Sequence, residues 1–160
     1  PDCLPHYVTD KNVALFETHK VFSAAEMRAR CAIMAENYCK VTRIEAVTML
    51  EMADHDILPA VSAYCDTLTE RLSHRAGRYE QETLALLNKL LDDAYDARCR
   101  LEKALEHTAG GADEHAADLY RDEVLPAMRS LREAADAMEV RMPANAWPFP
   151  SYGELLFSVK

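Results

Sequence analysis

Six histidines, five cysteines and 27 carboxylates are the side chains with which this 160-residue sequence could do chemistry. A carboxylate-bridged two-metal centre in a helical bundle uses Glu-x-x-His on two helices and a further carboxylate from each of the other two. Here Glu51 precedes His55 and Glu70 precedes His74 by four residues, and Glu-x-x-His does not occur. His55 also lies in Asp54-His55-Asp56, where flanking carboxylates favour the protonated ring over the neutral ligand. Asp92, Asp93 and Asp96 read as a wet helix face rather than a cation cage. The cysteines (Cys3, Cys31, Cys39, Cys65 and Cys99) are odd in number, widely spaced and form no Cys-x-x-Cys pair. That pattern fits reduced thiols in a cytoplasmic protein better than a zinc site or a disulfide framework. The zincin His-Glu-x-x-His, the phosphate-cradling P-loop and the Gly-x-Ser-x-Gly elbow are all absent. No catalytic, metal-binding or cofactor-binding residue is expected in the chain.

The elements that would position side chains are helical. Ala, Leu, Glu, Arg and Lys supply 76 of the 160 residues, close to the half-share of long helices, and only four residues are Gly. Val, Ile and Thr number 20, thin for a sheet. The net charge of −9 disfavours nucleic acid as a partner. No apolar run approaches the roughly 18 residues of a membrane span, and no secretory leader opens the chain. The expectation is one soluble, cytoplasmic, all-α domain over 1–160. The chain begins at Pro1, not Met, which points to a piece of something longer.

A short helix is expected over 11–20, carrying Val13, Leu15 and Phe16. Ser23-Ala24-Ala25-Glu26 is a capping box, opening a helix that runs to about residue 40. A second box, Thr42-Arg43-Ile44-Glu45, opens a helix over 43–72, whose apolar residues recur at three- and four-residue steps. Gly77 marks its stop. Leu84, Leu87, Leu91, Ala94, Leu101 and Leu105 mark a helix over 79–107, and the Gly110-Gly111 region breaks the chain at 108–112. Asp113 caps a last long helix ending near Met142-Pro143. Four long amphipathic helices with short links predict an up-and-down bundle with a short N-terminal helix, the apolar stripes forming its core.

Two features stand out from this pattern. Asp56-Ile57-Leu58-Pro59-Ala60-Val61 is echoed by Glu123-Val124-Leu125-Pro126-Ala127-Met128, each inside an expected long helix. A proline there removes a backbone donor and crowds the preceding turn, so Pro59 and Pro126 are expected to mark paired kinks. The other feature is the tail, where Trp147, Phe149, Tyr152 and Phe157 fall among Pro148, Pro150 and Gly153. The prolines hold it extended, with Trp147 and Phe149 on one side and Tyr152 and Phe157 following after a turn at Gly153. Five large apolar groups in eleven residues are expected to dock, either on the bundle or on a longer parent.

The chain resembles the C-terminal portion of type III glutamine synthetases, the large-subunit bacterial form. The resemblance rests on Asn12-Val13-Ala14-Leu15-Phe16-Glu17, Lys20-Val21-Phe22, Glu36-Asn37-Tyr38, Ile44-Glu45-Ala46-Val47-Thr48-Met49 and Ile57-Leu58-Pro59-Ala60-Val61. It continues through Pro126-Ala127-Met128, Leu131-Arg132, Ala135-Asp136 and Trp147-Pro148-Phe149-Pro150-Ser151-Tyr152-Gly153-Glu154-Leu155-Leu156-Phe157. The middle, 73–115, matches poorly. The resemblance implies a parent ligase that uses ATP and two divalent cations, Mg2+ or Mn2+, to phosphorylate the glutamate side-chain carboxylate, which ammonia then attacks. It implies hexamer-based assembly as well. The family's nucleotide, metal and glutamate motifs lie upstream of the matched region, so no catalytic residue carries over and the segment itself is expected to be inert, with a structural role. Two other readings stay open: a stand-alone acidic helical adaptor or scaffold, and a metal–carboxylate bundle marked down by its missing ligands.

Overall fold

A computed structural model describes residues 1–75, 77–108, 114–150 and 152–157. No strand occurs among them. The helices are α1 (Leu4–Tyr7), α2 (Asp10–Thr18), α3 (Ala24–Met52), α4 (Leu58–His74), α5 (Arg78–His107), α6 (Glu114–Leu119), α7 (Leu125–Glu139) and α8 (Tyr152–Phe157). Four are long (α3, α4, α5 and α7), as the apolar periodicity requires. Two five-residue π turns, Ala53–Ile57 and Tyr120–Val124, join α3 to α4 and α6 to α7 without interrupting the helical path. The expected Gly-Gly break and the Asp113 cap lie outside the described residues.

The first capping box forms as written. The Ser23 amide donates to Glu26 Oε2 at 2.8 Å, and the Glu26 amide donates to Ser23 Oγ at 3.3 Å. The second does not cap anything: α3 runs through Thr42-Arg43-Ile44-Glu45, and Thr42 is buried in its interior. No Gly or Pro interrupts residues 24–58, and a stripe at Met27, Cys31, Ala35, Cys39, Thr42 and Ala46 keeps one face buried throughout. Continuous burial overrides a local start signal worth about 1 kcal/mol. The division between the first two long helices therefore falls at residues 53–57 rather than 40–43. The four-residue α1, with Pro5 in its first turn, has no periodic signal in the sequence.

The chain divides into two compact units. The first comprises Pro1–Val47 and Glu102–Pro126. Met27, Cys31, Ala35, Cys39 and Ala46 of α3 are buried in it, as are Leu105, Ala117, Tyr120 and Val124. Phe16 bridges Tyr7 and Phe22 at ring separations of 6.2 and 5.9 Å, and the Arg30 guanidinium lies 4.3 Å over the Phe22 ring. Helix α2 ends in a Schellman motif. The Val21 amide donates to the Phe16 carbonyl and the Lys20 amide to that of Glu17, with Lys20 at φ 53°. Glycine is favoured there because it has no Cβ to meet the neighbouring carbonyl.

The second unit comprises Thr48–Leu101 and Ala127–Lys160. Val61, Tyr64 and Leu68 of α4, Leu87, Ala94 and Leu101 of α5, and Leu131 and Met138 of α7 are buried in it. Residues 75–77 separate α4 from α5: Arg75 is extended at φ −151°, and Gly77 follows at the expected stop.

Candidate functional site

Each repeated Leu-Pro sits two residues into a helix, directly after a π turn. Pro59 has no N–H to offer the carbonyl four residues back, and its ring crowds that carbonyl. The helix widens instead, and the Leu58 amide donates to the Ala53 carbonyl five residues back. The same exchange occurs at Pro126, where the Leu125 amide donates to the Tyr120 carbonyl. The sequence echo thus corresponds to one local device used twice, and π turns of this kind bend helices.

The widened turns re-aim polar side chains. In the second unit, Asp54 faces Arg98 of α5 in a two-point pair, Nε to Oδ1 at 2.9 Å and Nη2 to Oδ2 at 2.8 Å. Both side chains are largely covered, at 18% and 32% exposure, so solvent screens the pair little. In the first unit, Arg121 at the start of the other turn reaches Asp2, Asp118 and Asp122. These carboxylates hold its guanidinium firmly charged, the Asp122 bond contributing most. The Asp54–Arg98 and Asp2–Arg121 pairs do not follow from the sequence, because residues 44 and 119 positions apart share no helical period, whereas Asp118 and Asp122 neighbour Arg121 along the chain.

The docked tail builds the other feature of the second unit. The chain turns after Met142, with the Ala146 and Trp147 amides donating to the Pro143 carbonyl. Burial then alternates: Trp147 and Phe149 are half-buried, whereas Pro148 and Pro150 are exposed. The backbone nevertheless bends at Trp147, Pro148 and Phe149 rather than running extended as expected, because proline fixes φ but leaves ψ free to turn the chain. The two rings meet edge to face at 6.3 Å. They close an apolar groove of about 480 Å³, walled by Met49 and Met52 of α3, Ile57 of the π turn, and Met128 and Leu131 of α7. The Arg132–Asp136 ion pair, 2.6 Å, stands at its edge.

Beyond Pro150 the expectation of an extended path fails again. Tyr152 opens α8, its side chain lying outside the described residues, and Leu155, Leu156 and Phe157 face solvent, Phe157 at 80% exposure. The seated, non-helical segment ends at the last proline because nothing after it forbids helical φ and ψ.

The residues singled out for metal chemistry stay apart from any site. Glu51, His55, Glu70, His74, Asp92, Asp93 and Asp96 are exposed, and among the described residues no three His, Cys, Asp or Glu side chains converge. The Cys65 thiol is pushed up by burial and by Asp66 nearby, which keeps it protonated and poorly nucleophilic. The Tyr64 hydroxyl is likewise raised by burial and by Tyr79. No described helix is long and apolar enough to cross a membrane.

Such an arrangement defines a helical domain whose described polar groups pin turns and whose apolar groups build docking surfaces. Comparison with known proteins shows what it is similar to. Residues 1–75 match the glutamine synthetase C-terminal domain. The whole chain aligns with a glutamine synthetase of Butyrivibrio fibrisolvens at 33% identity, covering 24% of that protein. It aligns over 98% of its length with the type-3 glutamine synthetase of Dictyostelium discoideum at 25% identity, and over 99% with a glutamine synthetase of Bacteroides fragilis at 24%, covering 23% of each. The chain is similar to the C-terminal part of these glutamine synthetases, and it spans about a quarter of their length.

Proposed function

We propose that the chain is the non-catalytic C-terminal segment of a glutamate–ammonia ligase, serving that enzyme's architecture rather than its chemistry. In this reading the parent chain works in the cytoplasm and binds ATP and Mg2+ or Mn2+ elsewhere. It phosphorylates the glutamate side-chain carboxylate and lets ammonia displace the phosphate, within a hexamer-based assembly. The observation that carries the reading is alignment along the entire chain to a glutamine synthetase of which it covers only 24%. The pinned π turns and the seated Trp147 and Phe149 support it, being devices that hold a helical segment in one shape. Pro59, Pro126, Trp147 and Phe149 act as structural residues here, while Tyr152 and Phe157 belong to a tail end that would dock only within the parent.

The test is made on the 160-residue chain and on the complete polypeptide that carries it. The isolated chain is expected to show no magnesium-dependent heat of ATP binding, whereas the complete polypeptide makes glutamine. Removing this segment is expected to shift the particle size in sedimentation. Saturable ATP binding by the isolated chain would overturn the non-catalytic assignment.

A further inference from the structure

Helix α3 is apolar on two opposite faces. At 100° per residue, Met27, Cys31, Ala35, Thr42 and Ala46 gather on the buried side. Ile33 and Ile44 project almost directly away from it, with Val41 beside them. Ile33 is 62% and Ile44 66% exposed, and Val41 is exposed too. Met27 apart, the helix therefore buries mainly small residues and leaves Ile33, Val41 and Ile44 exposed, the reverse of what hydrophobic burial favours for a helix with one covered face. The stripe is not smooth. At its N-terminal end Ile33 and Met34 join Leu4 and Tyr7 around an open hollow of about 430 Å³. The exposed Glu36–Lys40 pair lies beside it, as a polar rim does.

We propose that this outward stripe of α3 is the surface on which the rest of the glutamine synthetase polypeptide seats, with apolar side chains of that part entering the hollow beside Ile33. The inference rests on the reading of the chain as part of a larger ligase. Three-quarters of the length of the relatives lies outside this chain, so a covering partner is present on the same polypeptide at high effective concentration. A second copy of this chain is the weaker occupant, because each copy carries a net charge of −9 and the two repel.

Hydroxyl-radical footprinting of the complete polypeptide, native against denatured, tests this. Ile33, Val41 and Ile44 are expected to react about fivefold or more slowly in the native form, as residues in a water-excluding interface do. Ile33→Asp with Ile44→Asp should restore reactivity at Val41, and Ile33→Val with Ile44→Val should not. Native reactivity close to the denatured rate in a polypeptide that makes glutamine overturns the stripe assignment alone. Protection that disappears on dilution, in step with a falling sedimentation coefficient, overturns it in favour of a second copy. A coding sequence with no ligase upstream overturns this proposal together with the functional reading.

Discussion

Trp147→Ala should unseat the tail. A tryptophan brings 150–250 Å² of surface, of which a half-buried ring withdraws roughly 100–150 Å² from water, worth about 2.5–4 kcal/mol at 25 cal/mol per Å². The edge-to-face contact with Phe149 at 6.3 Å adds about 0.5–1 kcal/mol. Releasing the tail returns backbone freedom of about 1 kcal/mol per residue, but Pro148 and Pro150 keep that return small because their φ is fixed in both states. The net loss is about 2–3 kcal/mol, which for a chain of 160 residues lowers the melting temperature by roughly 5–10 °C. Circular dichroism melts read this directly, with Phe157→Ala as the control, since that ring is 80% exposed and its loss should leave the melt unchanged. Trp147 is also the only tryptophan, so its fluorescence reports the same contact. An unaltered melt for Trp147→Ala, together with emission and quenching typical of a fully solvated indole in the parent chain, would refute the docking argument.

Arg98→Ala should cost about 1–3 kcal/mol by leaving the largely covered Asp54 carboxylate without its two-point donor, read as a lower urea midpoint; Arg98→Lys should recover only part, because an ammonium cannot make the two-point contact. An unchanged midpoint for Arg98→Ala would show that the pair does not hold the π turn. Lys20→Gly should raise stability by about 1 kcal/mol by relieving the left-handed backbone at the end of α2, and a lower melting temperature would contradict the Schellman geometry. The Glu26 carboxyl is held below its ordinary value of 4.5, chiefly by the Ser23 amide and then by the Ser23 hydroxyl. Its pKa is lower folded than unfolded, so the unfolded chain binds protons first. The cap's contribution is present above the ordinary value and is lost as pH falls through the folded one. Glu26→Gln, which removes the titrating group, should flatten that limb of the stability–pH curve, and an unchanged limb would place the acid sensitivity elsewhere.

Helical class was legible in composition and period because each helix carries its own hydrogen-bond ladder and its own apolar stripe. The Ser23 box, the helix over 10–18 and the alternation at Trp147 and Phe149 were legible for the same reason: their partners lie within a few residues. The likeness to glutamine synthetases was legible in the order of short stretches from Asn12 to Phe157, although no single stretch carries it. Local signals failed where distant burial competed with them. The Thr42-Glu45 box has the residues of a helix start, yet the buried face of α3 continues through it. The tail's apolar end did not reveal that Phe157 remains in water, because a sequence shows that a ring needs covering and not whether a surface lies within reach. Proline foretold a disturbance at residues 59 and 126, but its resolution as a π turn required the surrounding helix to choose a widened turn over a break. The Asp54–Arg98 pair and the Asp2–Arg121 pair belong wholly to the tertiary structure. Only a folded chain brings together residues 44 and 119 positions apart, at separations that leave no periodic trace in the sequence.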